Sequence, residues 1–284
     1  MKSGWLSVSD HRRDSAGLVY VYPVISRRAQ GVSVGINLNP NRACNWQCVY
    51  CQVPGLTRGG PPAIDLALLE TELRGFLGSV RDGDYMERHV PPDMRRLADI
   101  ALSGDGEPTL AAEFGEVVAL IARLRGALDL PADLPTRLIT NGSQLGKPSV
   151  QQAIAQLNTL SGEVWFKIDA GSEDAMATIN DIRIPARTVA SRLRQCATRC
   201  PTWVQTCLFK QDGADPSDQW VSDYLSLLRL ADAPIQGVLL YGLARPSMQP
   251  MAARLERLSQ SEIERIAERI RGEGPAGLVV KVSP

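Results

Sequence analysis

Six short apolar runs, at residues 32–38, 99–102, 136–140, 164–168, 203–209 and 238–243, alternate with stretches in which apolar residues recur at helical spacing. That alternation predicts parallel strands joined by crossover helices, because two parallel strands cannot be linked by a tight hairpin turn. The helices are expected over 65–80 (Leu66, Leu68, Leu69, Leu73, Phe76 and Leu77), 114–128, 186–198, 220–230 and 262–271, with a short terminal strand at 278–282. Segments 55–62 and 81–93 are rich in glycine, proline and charge and read as loops. The first thirty residues read as an N-terminal extension packed on a core domain of residues 31–284. The fold class is therefore α/β, and periodicity alone does not separate a barrel from an open doubly wound sheet.

A length of 284 residues suits one large α/β domain or two small ones, and a hydrophobic fraction of 44% supplies a sizeable core. The 31 acidic residues balance the 31 basic ones, which leaves no global field drawing the chain to nucleic acid or to an anionic membrane. The N-terminus lacks the apolar core of a signal peptide, and no apolar run reaches the ~18 residues of a membrane span. A cytoplasmic protein is expected, in which thiols stay reduced and the six cysteines need not pair.

Cys44, Cys48 and Cys51 fall in Ala-Cys-Asn-Trp-Gln-Cys-Val-Tyr-Cys, the spacing Cys-x3-Cys-x2-Cys. Three closely spaced thiolates can hold three corners of a 4Fe–4S cluster and leave one iron open to a small chelating molecule. A structural zinc site is a second reading, but it prefers four Cys or His ligands, and the two histidines, His11 and His89, lie far off in sequence. Three buried, unligated thiols are a third, since free cysteine packs as a small hydrophobe.

In parallel α/β architectures ligands gather at the carboxyl ends of the strands. The second run ends in Ser103-Gly104-Asp105-Gly106-Glu107-Pro108, whose glycines permit close backbone approach and whose carbonyls and carboxylate suit a cationic amine. The third ends at Asn141-Gly142, either a ligand contact or a plain Asn-Gly turn. Lys167 and Asp169 share one face of the fourth, where two charges on an apolar strand need each other or a ligand. Gln205 is a weaker polar insertion in the fifth, and Arg245, just after the sixth, reads equally as an anion anchor and as a surface arginine. Cys196, Cys200 and Cys207 raise an auxiliary cluster, but Cys207 lies inside the fifth run and reads better as a buried structural cysteine.

Together these motifs resemble the radical S-adenosylmethionine (SAM) superfamily. The resemblance implies a partial (β/α)6 TIM-like barrel with an N-terminal extension, a 4Fe–4S cluster on Cys44, Cys48 and Cys51, and SAM on the open iron. It implies further that Tyr50 lies near the adenine and that Gly104, Asp105, Gly106 and Glu107 receive the SAM amino group. Lys167 and Asp169 would meet the ribose or carboxylate, and Asn141 would complete the set. Longer strings, among them Gly35 to Pro40, Val49 to Gln52, Trp165 to Ala170 and Ala244-Arg245-Pro246, resemble bacterial iron–sulfur oxidoreductases related to the archaeal wyosine-forming tRNA enzymes. No cysteine precedes Cys44 to supply the second cluster of those enzymes, and the balanced charge gives little drive toward tRNA. The implied activity is reductive cleavage of SAM to a 5′-deoxyadenosyl radical that takes hydrogen from an unidentified substrate, with RNA modification one option. The partner is a low-potential electron donor of flavodoxin or ferredoxin type. The alternatives are an activase that makes a radical on a partner protein and a non-catalytic metal-binding regulator.

Overall fold

The computed structural model describes residue 6, residues 16–26 and residues 30–283. Eight strands form one sheet: β1 (Val21–Ser26), β2 (Gly31–Ile36), β3 (Leu97–Leu102), β4 (Thr136–Thr140), β5 (Gly162–Lys167), β6 (Thr202–Leu208), β7 (Gly237–Gly242) and β8 (Val280–Ser283). They lie side by side in chain order, β1 antiparallel to β2 and every later neighbour parallel. The crossovers carry α1 (Leu66–Arg81), α2 (Phe114–Ala127), α3 (Pro148–Asn158), α4 (Glu173–Asn180), α5 (Ala186–Ala197), α6 (Asp218–Ala231) and α7 (Gln260–Glu273). Residues of both edge strands, Tyr22 and Val24 on β1 and Val282 and Ser283 on β8, line one cavity of about 760 Å³, so the sheet curves around it as a partial barrel. None of the described helices is long and apolar enough to cross a membrane.

Local chemistry accounts for these elements. Asp65 caps α1 by accepting from the Leu68 N–H at 2.9 Å, and Leu69, Leu73 and Leu77 then repeat on the buried face. Burying each is worth about 2 kcal/mol. Ser217 caps α6, and Ser259 with Glu262 forms a capping box at α7. On β5 Val164 and Phe166 face the helices, while Trp165 and Lys167 alternate with them and line the cavity. The polar face of this alternation thus looks into the barrel.

Four elements depart from the sequence reading. β1 lies inside the segment read as an extension, yet it is a strand of the main sheet; Pro23 within the run argues against a strand and is tolerated because β1 is an edge. Glu72 of α1 holds that strand's start, accepting from the N–H groups of Val19, Tyr20 and Val21 at 2.8, 2.8 and 3.2 Å. α3 and α4 give little apolar repeat in sequence; Pro148 at the first turn of α3 is its main local signal. A five-residue helix, Tyr85–His89, interrupts the segment read as a loop, and Leu6 donates to its last carbonyl at 2.7 Å.

Candidate functional site

The cysteine loop follows β2 and is held from three sides. Its Gln47 and Val49 N–H groups donate to the carbonyls of Asn180 and Ile179 at the end of α4, at 3.1 and 2.8 Å. Behind β7, the Ser247 hydroxyl donates to the Val49 carbonyl at 2.6 Å, and the Gln249 amide donates to the carbonyls of Cys51 and Val53 at 3.1 and 2.9 Å. A two-residue parallel ladder joins Ala43–Cys44 to Thr57–Arg58. None of the three cysteines is in a disulfide, and all are partly exposed and on the cavity wall. The Trp46 N–H points at the Cys44 sulfur (3.5 Å) and the Asn180 amide at the Cys48 sulfur (3.2 Å).

This donor set fits a cluster. N–H groups directed at sulfur are a usual means of tuning cluster thiolates. Among the described residues no three His, Cys, Asp or Glu side chains converge on a single ion. A cluster does not require that, because each thiolate binds a different iron. Burial pushes the Cys44 thiol up to about 11 and, with the charge of Asp169, the Cys48 thiol up to about 12. Both therefore keep their protons near neutral pH in the cofactor-free chain, and a metal bound there would have to displace them.

Glu107 is 2% exposed and ties two strand ends together. Its Oε1 accepts from the Thr109 N–H (3.1 Å), the Thr109 hydroxyl (2.5 Å) and the Thr140 hydroxyl (2.6 Å), and its Oε2 from the Asn141 N–H (2.6 Å). Asn141 in turn donates to Asn45 of the cysteine loop at 2.9 Å. The glycines are needed, but their close neighbour is protein. A Cβ on Gly104, whose φ is +158°, would meet the Asn37 amide at 2.3 Å, and one on Gly106 would meet the Ala43 carbonyl at 2.2 Å. Asp105 is gripped by the same Asn37, which donates to its carboxylate at 2.9 Å and accepts from its N–H at 3.1 Å.

On the facing wall, Asp169 is 1% exposed and accepts from the Tyr50 hydroxyl (2.5 Å), the Asn180 amide (2.8 Å) and the Cys207 N–H (3.1 Å). Lys167 Nζ lies 3.5 Å from that carboxylate, 3.0 Å from the Tyr241 hydroxyl and 4.8 Å above the Tyr50 ring. Burial opposes the Lys167 charge, yet Asp169, Tyr241, Cys48 and Cys207 together hold its ammonium well above the usual lysine range. Deeper in the barrel Arg137 is bonded to Asp99, lies 3.5 Å from Glu163 and stacks 5.4 Å from the centre of the Trp165 ring.

Every predicted site residue except Asp169 thus lines the one cavity, and Asp169 stands behind Tyr50 and Lys167. Gln205 and Arg245 line it too. Cys207 lies inside β6 and is buried, as expected, and it also lines this cavity, while Cys196 and Cys200 sit in the main core. An auxiliary cluster on those three has no shared site. Sequence reasoning missed Asn45, Asn180 and Tyr241. Tyr241 carried a usable signal, a polar tip on an inward strand position, whereas Asn180 is brought in only by the packing of α4.

No family model matches the chain. Among curated proteins it is 27% identical over 158 residues to a GTPase Obg of Brachyspira hyodysenteriae, covering 56% of this chain and 20% of that one. It is 30% identical over 159 residues to a UPF0026 protein of Methanocaldococcus jannaschii, covering 56% of this chain and 42% of that one. The chain thus spans half or less of the length of these relatives. In three dimensions it resembles a radical SAM methyltransferase from Sphaerobacter thermophilus, with a TM-score of 0.60, 17% identity and coverage of 93% of this chain and 68% of that one. It also resembles SuiB of Streptococcus suis bound to S-adenosylmethionine, with a TM-score of 0.58, 12% identity and coverage of 88% and 51%. At such identities the likeness is one of architecture, and the chain has the mostly parallel partial barrel found in radical SAM enzymes.

Proposed function

We propose that this protein is a radical SAM enzyme in which Cys44, Cys48 and Cys51 hold three irons of a 4Fe–4S cluster. One observation carries the reading: three cysteines of a single loop, none of them in a disulfide, line a cavity at the carboxyl ends of a parallel partial barrel. When bound, the cluster and SAM supply one-electron reductive cleavage of the sulfonium, giving methionine and a 5′-deoxyadenosyl radical. The chain's own residues bind and orient. Glu107 Oε2 carries one hydrogen bond and keeps a lone pair for an ammonium group. Lys167 has three N–H donors, of which Tyr241 and Asp169 engage two, so the third is available to a carboxylate or ribose hydroxyl. Asp169 holds Tyr50 and Lys167 in place and takes no direct ligand. Apolar lining from Val53, Leu56 and Leu243 keeps bulk water from the reacting atoms.

The electron comes from a donor of flavodoxin or ferredoxin class. The substrate is unidentified; an RNA base and a partner protein are the two macromolecular classes the motifs leave open. The test is anaerobic reconstitution followed by incubation with SAM and dithionite. Roughly four irons per chain and formation of 5′-deoxyadenosine are expected. An intact cluster without 5′-deoxyadenosine overturns the enzyme reading, and zinc in place of iron overturns the cluster.

A further inference from the structure

The floor of the barrel holds a charged pair that the cofactor chemistry above does not use. Asp99 and Arg137 line the cavity four residues before Ser103 and Asn141, which stand just past the ends of β3 and β4. Four residues of strand place the pair about 13 Å below that rim. The layer between is largely apolar, with Ala101, Ile139 and Trp165 on the cavity wall. Arg137 Nη1 donates to the Asp99 carboxylate, which also accepts from the Ser33 hydroxyl. Arg137 makes no other hydrogen bond among the described residues. Its Nε is buried without a hydrogen-bond partner, 3.5 Å from the Glu163 carboxylate, and its Nη2 hydrogens have no acceptor. A guanidinium carries five N–H hydrogens, and those held away from water are costly unless a ligand meets them.

We propose that this floor anchors the substrate, and that it takes an uncharged amide whose C=O and N–H share one edge, as in a primary carboxamide or a lactam. Its role as a substrate subsite rests on the radical SAM reading. Charge decides against an ion. Asp99 and Glu163 set two carboxylates against one guanidinium, so the floor has no excess positive charge to hold an anion. A cation would in turn face the guanidinium of Arg137. A neutral group with an acceptor beside a donor satisfies both walls. Its oxygen accepts from Arg137 Nη2, and its N–H donates to Asp99, whose oxygens keep lone pairs beyond the bonds from Ser33 and Arg137. Trp165 backs the guanidinium, its ring centre 5.4 Å away, and is itself fixed by Nε1 donating to Glu163 at 2.6 Å. The apolar part of the molecule then lies against Ala101, Ile139 and Trp165, and its far end points to the rim.

Benzamide, benzoate and benzamidine share a shape but are neutral, anionic and cationic, so they separate these cases. Their dissociation constants are measured on the full, cofactor-free chain by saturation-transfer NMR, with 2-pyridone beside them as a cyclic amide. Benzamide or 2-pyridone is expected to bind about fivefold more tightly than either ion. The tighter of the two assigns the group as carboxamide or lactam, and either supports the subsite. Arg137→Met weakens that ligand about fivefold. Glu163→Gln keeps an acceptor for Trp165 but removes one counter-charge, so it shifts the preference toward benzoate about threefold; it reports on the floor even where Arg137→Met fails to fold. Tighter binding of benzoate than of either amide overturns the proposal, as does equal binding of all four or no binding. An unchanged affinity in folded Arg137→Met, or an unchanged amide-to-benzoate ratio in Glu163→Gln, also overturns it. Loss of amide binding while 5′-deoxyadenosine still forms strikes the subsite alone. Absence of 5′-deoxyadenosine from an intact cluster overturns the radical SAM reading, and the subsite's role with it.

Discussion

Glu107 offers a test of whether the carboxylate at the end of β3 is part of the frame. Its four donors come from Thr109, Thr140 and Asn141. In Glu107→Ala the two hydroxyls can rotate to other acceptors, but the Thr109 and Asn141 N–H groups cannot. Each buried unsatisfied N–H costs about 1–3 kcal/mol, so a loss of about 2–6 kcal/mol is expected. In Glu107→Gln the amide oxygen can take the Oε1 position and keep three bonds, while the NH2 faces the Asn141 N–H, donor against donor. One lost bond costs about 1–3 kcal/mol. Burial pushes the native carboxyl pKa up, so removing its charge recovers part of that cost and favours the lower end. Urea unfolding of the cofactor-free chain, followed by tryptophan fluorescence, measures both variants at constant m. An alanine variant within about 0.5 kcal/mol of wild type, or a glutamine variant as unstable as alanine, refutes the clamp.

Gly106→Ala pushes a methyl into the Ala43 carbonyl, one residue before Cys44; overpacking costs about 1–3 kcal/mol, and bound iron per chain should fall with it. Asn180→Ala removes the N–H directed at the Cys48 sulfur and a hydrogen bond to the buried Asp169. Loss of the charged bond costs about 1.5–3 kcal/mol, and loss of the N–H to sulfur should move the cluster potential negative in a redox titration monitored by EPR. In the cofactor-free chain the raised Cys44, Cys48, Cys196 and Cys200 thiols, from 9.0 to about 11 or 12, predict alkaline instability. The unfolded chain gives up these protons above about pH 9 while the native chain keeps them, so the unfolded state binds fewer protons and stability falls as pH rises from about 9 to 12. A melting temperature that stays flat or rises across that window contradicts these thiol environments.

Much of the site was legible in the chain because its residues fall at ends of strongly patterned strands. The run before Ser103 is apolar and short, so whatever follows it lies at a sheet edge, and Glu107 and Asn141 were found by that logic. Lys167 and Asp169 were legible because two charges on an apolar strand demand partners. What pattern did not reveal is which partner each takes. Asp169 reads as a ligand contact from its position, but Tyr50, Asn180 and Cys207 approach it from three separate segments and occupy its oxygens. The glycines at 104 and 106 were expected to admit a ligand, and the space beside them is filled by Asn37, Asn39 and Ala43.

The sequence by itself determined the architecture's class and the start of the proposed chemistry. Alternating strand and helix periods require a parallel sheet, and three thiols within eight residues are close together in any fold. Tertiary structure decided everything that depends on distance across the barrel. It curved the sheet so that β1 and β8 share a cavity and brought Asn180 to the Cys48 sulfur. It also turned Cys207 inward while Cys196 and Cys200 joined the main core. Strand alternation gives two faces, but only the curvature of the sheet says which face encloses the site.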